Sequence, residues 1–288
     1  MCLMNLFLHN IGDIDDEPTI VSTDALITPP PQRYDYVLTN PPFGKKSSMT
    51  FVNEATGERE KEDFVYERPD FWATTSNKQL NFVQHIRTML KENGQAAVVV
   101  PDNVLVEGGA GETVRRKLLE TTDLHTILRL PTGIFYAPGV KANVLFFDNR
   151  PGRAEPWTRE VWFYDYRTNI HHTLKRKPLR LEHLRDFIRC YNPENRHERV
   201  ETWSENNPEG RWRRFTYEEI LARDKVSLDI FWLRDASLGD MDNLPAPEEI
   251  AEEIVENLEA GLEGFRRVLA SLEDRDGGAR AEDSGKQA

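Results

Sequence analysis

The residues of this chain best suited to chemistry stand together at Asn40-Pro41-Pro42-Phe43, directly after the apolar, β-prone run Tyr34 to Thr39. Proline has no N–H and a fixed φ, so two in succession cannot continue a central strand. The pattern predicts a strand that stops at Asn40, with its carboxamide and the neighbouring carbonyls aimed off the end of a sheet. In open α/β sheets ligands bind at that end of the strands. A side-chain amide oxygen and a backbone carbonyl both accept hydrogen bonds, which suits them to grip one amino group by its two hydrogens. Phe43 adds a flat face for a planar ring. The plainer alternative is a strand ending in a tight turn, with Asn40 capping backbone groups.

Several elements must hold this group in place. Thr75–Asn93 carries Leu80, Phe82, Val83, Ile86, Met89 and Leu90 at helical spacing and predicts a helix with Gly94 as its C-cap. The run Gln95 to Val100, closed by Pro101, has the composition of a buried parallel strand. Helix, glycine and buried strand make a βα repeat of a doubly wound sheet. Gly108 to Gly111 form a turn into a helix over Glu112–Thr121; no Lys-Ser/Thr follows, so this is not a phosphate-binding loop. Leu124–Pro131 and Ala142–Phe147 predict two strands, and the connection between them is too short for a crossover helix, so they pair antiparallel. Phe135 and Tyr136 on that connection are candidates for the far wall of a ring-binding pocket, core burial being the competing reading for Phe135.

Upstream, residues 2–10 predict the tail of an amphipathic helix and Thr19–Ser22 a short strand, followed by Asp24 in a turn. Residues 45–75 are polar and predict an irregular loop in which Lys45 and Lys46 are placed to meet a phosphate backbone, or else to face solvent. Glu160–Arg167 alternates as a strand, His171 to Lys177 is a basic turn, and Leu181–Tyr191 a short helix. The histidines lack acidic or cysteine partners at ligand spacing, so no metal site is expected. Thr216 and Glu219 have capping-box spacing. From Pro247 to Leu272 the apolar positions Ile250, Ile254, Leu258, Leu262, Phe265, Leu269 and Leu272 form a seam along an acidic helix, which either folds back on its own domain or docks on a partner's helix.

The chain has 288 residues, 39% hydrophobic and 30% charged, enough for one sizeable core with appendages. It has no apolar run long enough to cross a membrane and no cationic leader, and its two cysteines show neither disulfide nor metal spacing; a reducing cytoplasm fits. A net charge of −12 opposes unaided binding to a polyanion, so local basic patches or a partner must supply any such attraction.

Thr39-Asn40-Pro41-Pro42-Phe43-Gly44 resembles the Asn-Pro-Pro-aromatic motif of amino-methyltransferases that modify adenine in DNA. The longer string RLPTGIFYAPGVKANVLFF, residues 129 to 147, resembles the methylation subunit of type I restriction-modification systems nearly throughout, and RWRRFTYEEILARDKVSLDIFWLRD resembles the same family. The resemblance implies an α/β, Rossmann-like methyltransferase sheet, mostly parallel with a terminal antiparallel hairpin, followed by a helical carboxyl-terminal region. It implies methyl transfer from S-adenosylmethionine to the 6-amino group of a flipped-out adenine. Asn40 and the Pro41 carbonyl would hold that amine, Pro42 would stiffen the turn, and Phe43 would stack on the base. Asp24 resembles the acidic loop near the adenine of the methyl donor, and a solvated turn aspartate is its plain alternative. The partners implied are double-stranded DNA, a specificity subunit, a second methylation subunit and, as a further candidate, a restriction subunit, with no membrane.

The family's glycine-rich donor loop and the acidic residue after its second strand are not found, so the chain reads as a carboxyl-terminal portion of such a subunit. The expected division is a partial catalytic domain over 1–170, a mixed extension over 171–245, a partner-binding helix over 246–273 and a disordered tail over 274–288. With the first βαβ unit missing, the Asn40 strand is expected as an unpaired edge and the chain alone as poorly stable. Two other functions stay open: an inactive module that only binds the specificity subunit, and a protein-glutamine or RNA amino-methyltransferase.

Overall fold

The computed structural model describes residues 2–9, 11, 20–30, 32–44, 48–52, 59–63, 65–136 and 139–235, together with 251, 254, 255, 258, 259, 261–263, 265 and 266. A short helix α1 (Cys2–Leu8) comes first, and strand β1 (Tyr34–Thr39) ends where the proline pair begins. A hairpin of β2 (Ser48–Val52) and β3 (Arg59–Asp63) follows, then α2 (Lys78–Met89), β4 (Leu90–Pro101), the one-turn α3 (Asn103–Val106) and α4 (Ala110–Thr121). Strands β5 (Thr122–Arg129), β6 (Ala142–Asn149) and β7 (Glu160–Asp165) precede α5 (Arg185–Tyr191), β8 (Trp212–Thr216) and α6 (Tyr217–Leu221). One six-stranded sheet runs in the order β1-β4-β6-β5-β7-β8.

The fold is α/β, as expected, and β5 and β6 pair antiparallel. The hairpin is not the end of the sheet, however: β7 adds parallel to β5 and β8 antiparallel to β7, so the sheet is mixed. β8 was not foreseen because its two arginines hide its alternation, in which Trp212 packs on one face and Phe215 on the other.

Period-two alternation divides the side chains of the sheet between two layers. Val37, Ala96, Val98, Val100, Leu145, Phe147, Val161 and Phe163 pack beneath α2 and α4. Val99, Val144, Phe146, Trp162, Tyr164 and Trp212 face the other way, toward α5 and the loop after β5. A register shift between Leu124 and Thr126 lets Leu124 and Ile127 share the first layer although they are three residues apart. The second layer does not reach β1, where Tyr36 and Leu38 are 71% and 81% exposed. Among the described residues β1 pairs only with β4, as expected of an edge.

Three local expectations are corrected. Gly94 is not a C-cap, since α2 ends at Met89 and β4 begins at once. A Cβ on Gly94 would stand 2.9 Å from the Tyr34 carbonyl oxygen, so the glycine serves the close approach of β1. Residues 45–75 are not wholly irregular, because β2 and β3 pair within them; Lys45 and Lys46 lie outside the described residues. Ile20 to Ser22 are not in a strand, no neighbour among the described residues offering them a ladder, and Thr19 lies outside the described residues. The capping box is present as predicted, Glu219 N–H donating to Thr216 Oγ1 at 3.2 Å and Thr216 N–H to Glu219 Oε2 at 2.7 Å.

Residues past 170 pack on this same sheet through β8 and α5, and Arg115 ties the segment after α6 to α4. Its guanidinium, 1% exposed, donates to the carbonyls of Val104, Glu107, Lys225 and Val226 at 2.6 to 3.0 Å. Lys225 and Val226 have φ of 54° and 51°, and a β-branched residue holds that conformation only when its surroundings impose it. Arg115→Met is expected to cost on the order of 3 kcal/mol, since each buried carbonyl stripped of its donor costs about 1–3 kcal/mol. Urea unfolding should show a lower midpoint with an unchanged slope.

Candidate active site

The carboxyl ends of β1, β4, β5 and β7 and the start of β6 meet along one edge of the sheet, and the predicted chemical group stands there. Asn40 is exposed, and its carboxamide has no hydrogen-bond partner among the described residues. Among the described residues it caps no backbone group of its own turn, which the plainer sequence reading of Asn40 would require. Pro41 is buried, Pro42 exposed and Phe43 half-buried against the second layer.

Phe43 meets Phe135 edge-to-face, with ring centroids 5.4 Å apart and planes at 67°. Of the two aromatic candidates on the β5–β6 loop, Phe135 therefore faces the Asn-Pro-Pro-Phe group while Tyr136 is 85% exposed. Phe135 is itself half-buried, so it lines the edge of the core and the site together.

Side chains that sequence reasoning missed hold this arrangement. Gln79 Nε2 donates to the Gly44 carbonyl at 2.7 Å, tying the end of the motif to the first turn of α2. That turn is fixed by Asn77, whose Oδ1 accepts from the Gln79 and Leu80 N–H groups at 3.0 and 3.3 Å. Reading Asn77 as the N-cap would have put Gln79 on the site. Asp102, one residue beyond β4, accepts two bonds from Arg167 at 2.7 and 2.9 Å. Burial alone would raise its carboxyl, but Arg167 and Asn143 hold it below the usual range. Its place just past a strand at the ligand end of the sheet was the available signal.

Asp24 is exposed, and its Oδ1 takes the Leu26 N–H at 2.9 Å, so the plain reading as a turn aspartate holds for one of its oxygens. Arg68, 8% exposed, secures this turn through the Ala25 carbonyl at 3.1 Å while meeting His85 Nδ1 at 2.9 Å and pairing with Asp70. A guanidinium only donates, so His85 Nδ1 must accept and the ring must be neutral. Burial and then the Arg68 charge push His85 down to about 4. Downstream, the bridge between Thr132 and His171 sets the basic turn His171 to Lys177 beside the Phe135 loop. Lys45 and Lys46 lie outside the described residues, and no cluster of metal-ligating side chains occurs among those described.

A mixed α/β sheet with an internal antiparallel hairpin, carrying Asn-Pro-Pro-Phe at the carboxyl end of a strand, defines the class of α/β methyltransferase domains. Residues 1–225 match the family model for N-6 DNA methylase. The chain is 40% identical to the methylase subunit of the type I restriction enzyme EcoKI from Escherichia coli K12, over 94% of this chain and 54% of that one. It is 41% identical to the StySPI methylase subunit of Salmonella potsdam over the same shares. The crystal structure of the EcoKI M protein superposes with a TM-score of 0.66 at 39% identity, covering 93% of this chain and 57% of that one. The chain belongs to the N-6 DNA methylase family, alongside the methylase subunits of type I restriction enzymes. It spans about half the length of the curated relatives it matches.

His85 and His125 are both held neutral at about 4, burial being the largest cause in each. An unfolded histidine titrates near 6.5, so between about pH 6.5 and 4 the unfolded chain takes up protons that the folded chain refuses. Stability should therefore fall as pH drops through that window, by on the order of 2–3 kcal/mol for each histidine. His85→Asn, which keeps an acceptor for Arg68 but cannot titrate, should flatten the slope; unfolding curves at pH 7 and 4.5 measure it.

Proposed function

We propose that this chain carries the target-base half of an adenine-specific DNA methyltransferase, acting as the methylation subunit of a type I restriction-modification assembly. The observation that carries the reading is the Asn40 carboxamide at the end of β1, exposed and without a hydrogen-bond partner among the described residues, three residues before Phe43 of the Phe43–Phe135 pair. A buried or self-satisfied amide could not serve an incoming amine; this one is free to accept.

An adenine that leaves the duplex brings its 6-amino group to Asn40 and the Pro41 carbonyl while its ring lies on Phe43. Two acceptors on the amino hydrogens turn the nitrogen lone pair outward and favour the positive charge that grows there during transfer. Most of the acceleration then comes from positioning. S-adenosylmethionine, when bound, supplies an electrophilic sulfonium methyl. Asp24 fits its adenine end, because one carboxylate oxygen is engaged by Leu26 and the exposed other can accept an amine.

The basic turn His171 to Lys177 lies beside the aromatic loop and suits a phosphate backbone, which the net charge of −12 otherwise repels. Residues described between 251 and 266 are helical and expose Ile254, Leu258, Leu262 and Phe265 by 51% or more. That seam favours a partner helix, from a specificity subunit or a second methylation subunit, and is also the observation behind a second reading, in which the chain acts only as a binding module.

In a full-length context, Asn40→Ala should lower transfer of labelled methyl groups to adenine-containing DNA by at least 100-fold, with the melting temperature within about 2 °C of wild type, since the side chain has no partner to lose among the described residues. Methylation at the wild-type rate by that variant would falsify the catalytic reading. Leu258→Glu with Leu262→Glu should leave the melting temperature in place and weaken capture of the specificity subunit by tenfold or more in a co-purification titration. Unchanged capture excludes the seam as the docking face.

A further inference from the structure

Arg167 stands just past the end of β7 and reaches across the carboxyl edge of the sheet. Its Nε donates to the Leu130 carbonyl at 2.8 Å and its Nη2 to the Ala142 carbonyl at 2.7 Å. These two residues flank the loop Pro131 to Lys141, so one guanidinium grips both ends of the segment that carries Phe135. The same group pairs with Asp102 through both of its terminal nitrogens, and Asp102 N–H donates to the Lys141 carbonyl at 3.2 Å. Asn143 closes the set, donating to Asp102 Oδ1 at 2.8 Å. The Arg167 side chain is 10% exposed and that of Asp102 26%, so solvent competes little for either.

The loop is held at its first turn as well. Gly133 has φ of +80°, and a Cβ there would fall 1.7 Å from the His172 carbonyl oxygen, so its backbone lies directly on the basic turn. Phe135, two residues on, inherits this placement. Its ring and that of Phe43 are 5.4 Å apart at 67°. A base sandwiched between two ring faces needs roughly 7 Å, twice the van der Waals separation of about 3.5 Å. The pair therefore forms a corner and not a slot: an incoming ring lies on one phenyl face and abuts the other. A corner works only while both walls keep their angle, and Gln79 fixes one wall through Gly44.

We propose that Arg167 is a positioning residue for base capture, which clasps both ends of the Pro131–Lys141 loop and so sets Phe135 as the second wall of the corner. The proposal rests on the reading that Asn40 and Phe43 receive the target base. Arg167 touches no base itself. Lysine keeps its charge but has one nitrogen and no planar fork, so it cannot hold two carbonyls and a carboxylate in this geometry.

The test uses the full chain and a single-stranded oligonucleotide with one 8-vinyladenine, a base that keeps the 6-amino group, whose emission reports stacking and which, unpaired, needs no duplex opening. Wild type should give a saturable emission change. Arg167→Lys should lose at least half of its amplitude at saturation, read at a temperature where the variant is still folded, its melting temperature being lowered by several degrees for the carbonyls it leaves. Phe135→Leu should lose a similar fraction, and the double variant no more than Phe135→Leu alone, because the arginine acts through the ring. A purely structural arginine would lower the melting temperature without this non-additivity. Full amplitude in Arg167→Lys, or losses that simply add, overturns the proposal. Should Arg167→Lys not fold, Asp102→Asn takes its place, with loss of at least a quarter of the amplitude expected and full amplitude overturning. A response that Phe43→Leu abolishes and Arg167→Lys leaves intact removes only the clasp; no response from wild type removes the base-capture reading and the clasp with it.

Discussion

The parallel pairing of β1 with β4, Tyr36 to Gln95 through Thr39 to Val98, decides where every chemical group at the carboxyl edge stands. A slip of one residue would turn Val37 out of the core and bring Leu38 in, and would carry Asn40 to the other face. Burial of Val37 between α2 and the sheet holds the register, and Gly94 permits it by letting the Tyr34 carbonyl approach. The proline pair then stops the ladder at a fixed point. Asn40 is thus exposed by backbone chemistry on one side and by core packing on the other.

Beyond that edge the fold relies on buried arginines that serve main-chain carbonyls. Arg115 collects four, Arg167 two, Arg129 takes Ile230 at 2.8 Å and Arg199 takes Tyr191 at 2.7 Å. The loops and the segment 223–231 have no ladder of their own, and a guanidinium offers five donors in one rigid plane. Arg129 and Arg199 add ring contacts, at 4.0 Å over Phe231 and 4.6 Å over Tyr191. These positive charges are therefore spent inside, on shape. A net charge of −12 leaves little unaided attraction to a polyanion.

Residues 171–235 show why local reading stops short. The strand at Glu160 was legible from alternation, and so was the Thr216 cap. The pairing of Trp212–Thr216 with β7 was not, because two arginines interrupt the hydrophobic pattern and pairing is a long-range event. The capping glycine expected at position 94 failed for a related reason: glycine marks either a left-handed turn or a close approach, and only the neighbouring strand tells which. The expected loop over 45–75 contains β2 and β3 because charged residues pair as readily as apolar ones in a hairpin's backbone ladder.

By itself the sequence determined that a strand ends at Asn40, that a helix and a buried strand follow, that the two strands flanking the loop after Leu130 pair antiparallel, and that Phe43 is presented beside the amide. These are consequences of proline's missing N–H, of hydrophobic period and of connection length, all local to the chain. Only the tertiary structure decided that Phe135 and not Tyr136 meets Phe43, that Gln79 holds Gly44, and that Arg167 spans from β7 to both ends of the aromatic loop. Those contacts join residues tens of positions apart, and the direction of a side chain across a sheet edge is set by packing, to which no short-range pattern is sensitive.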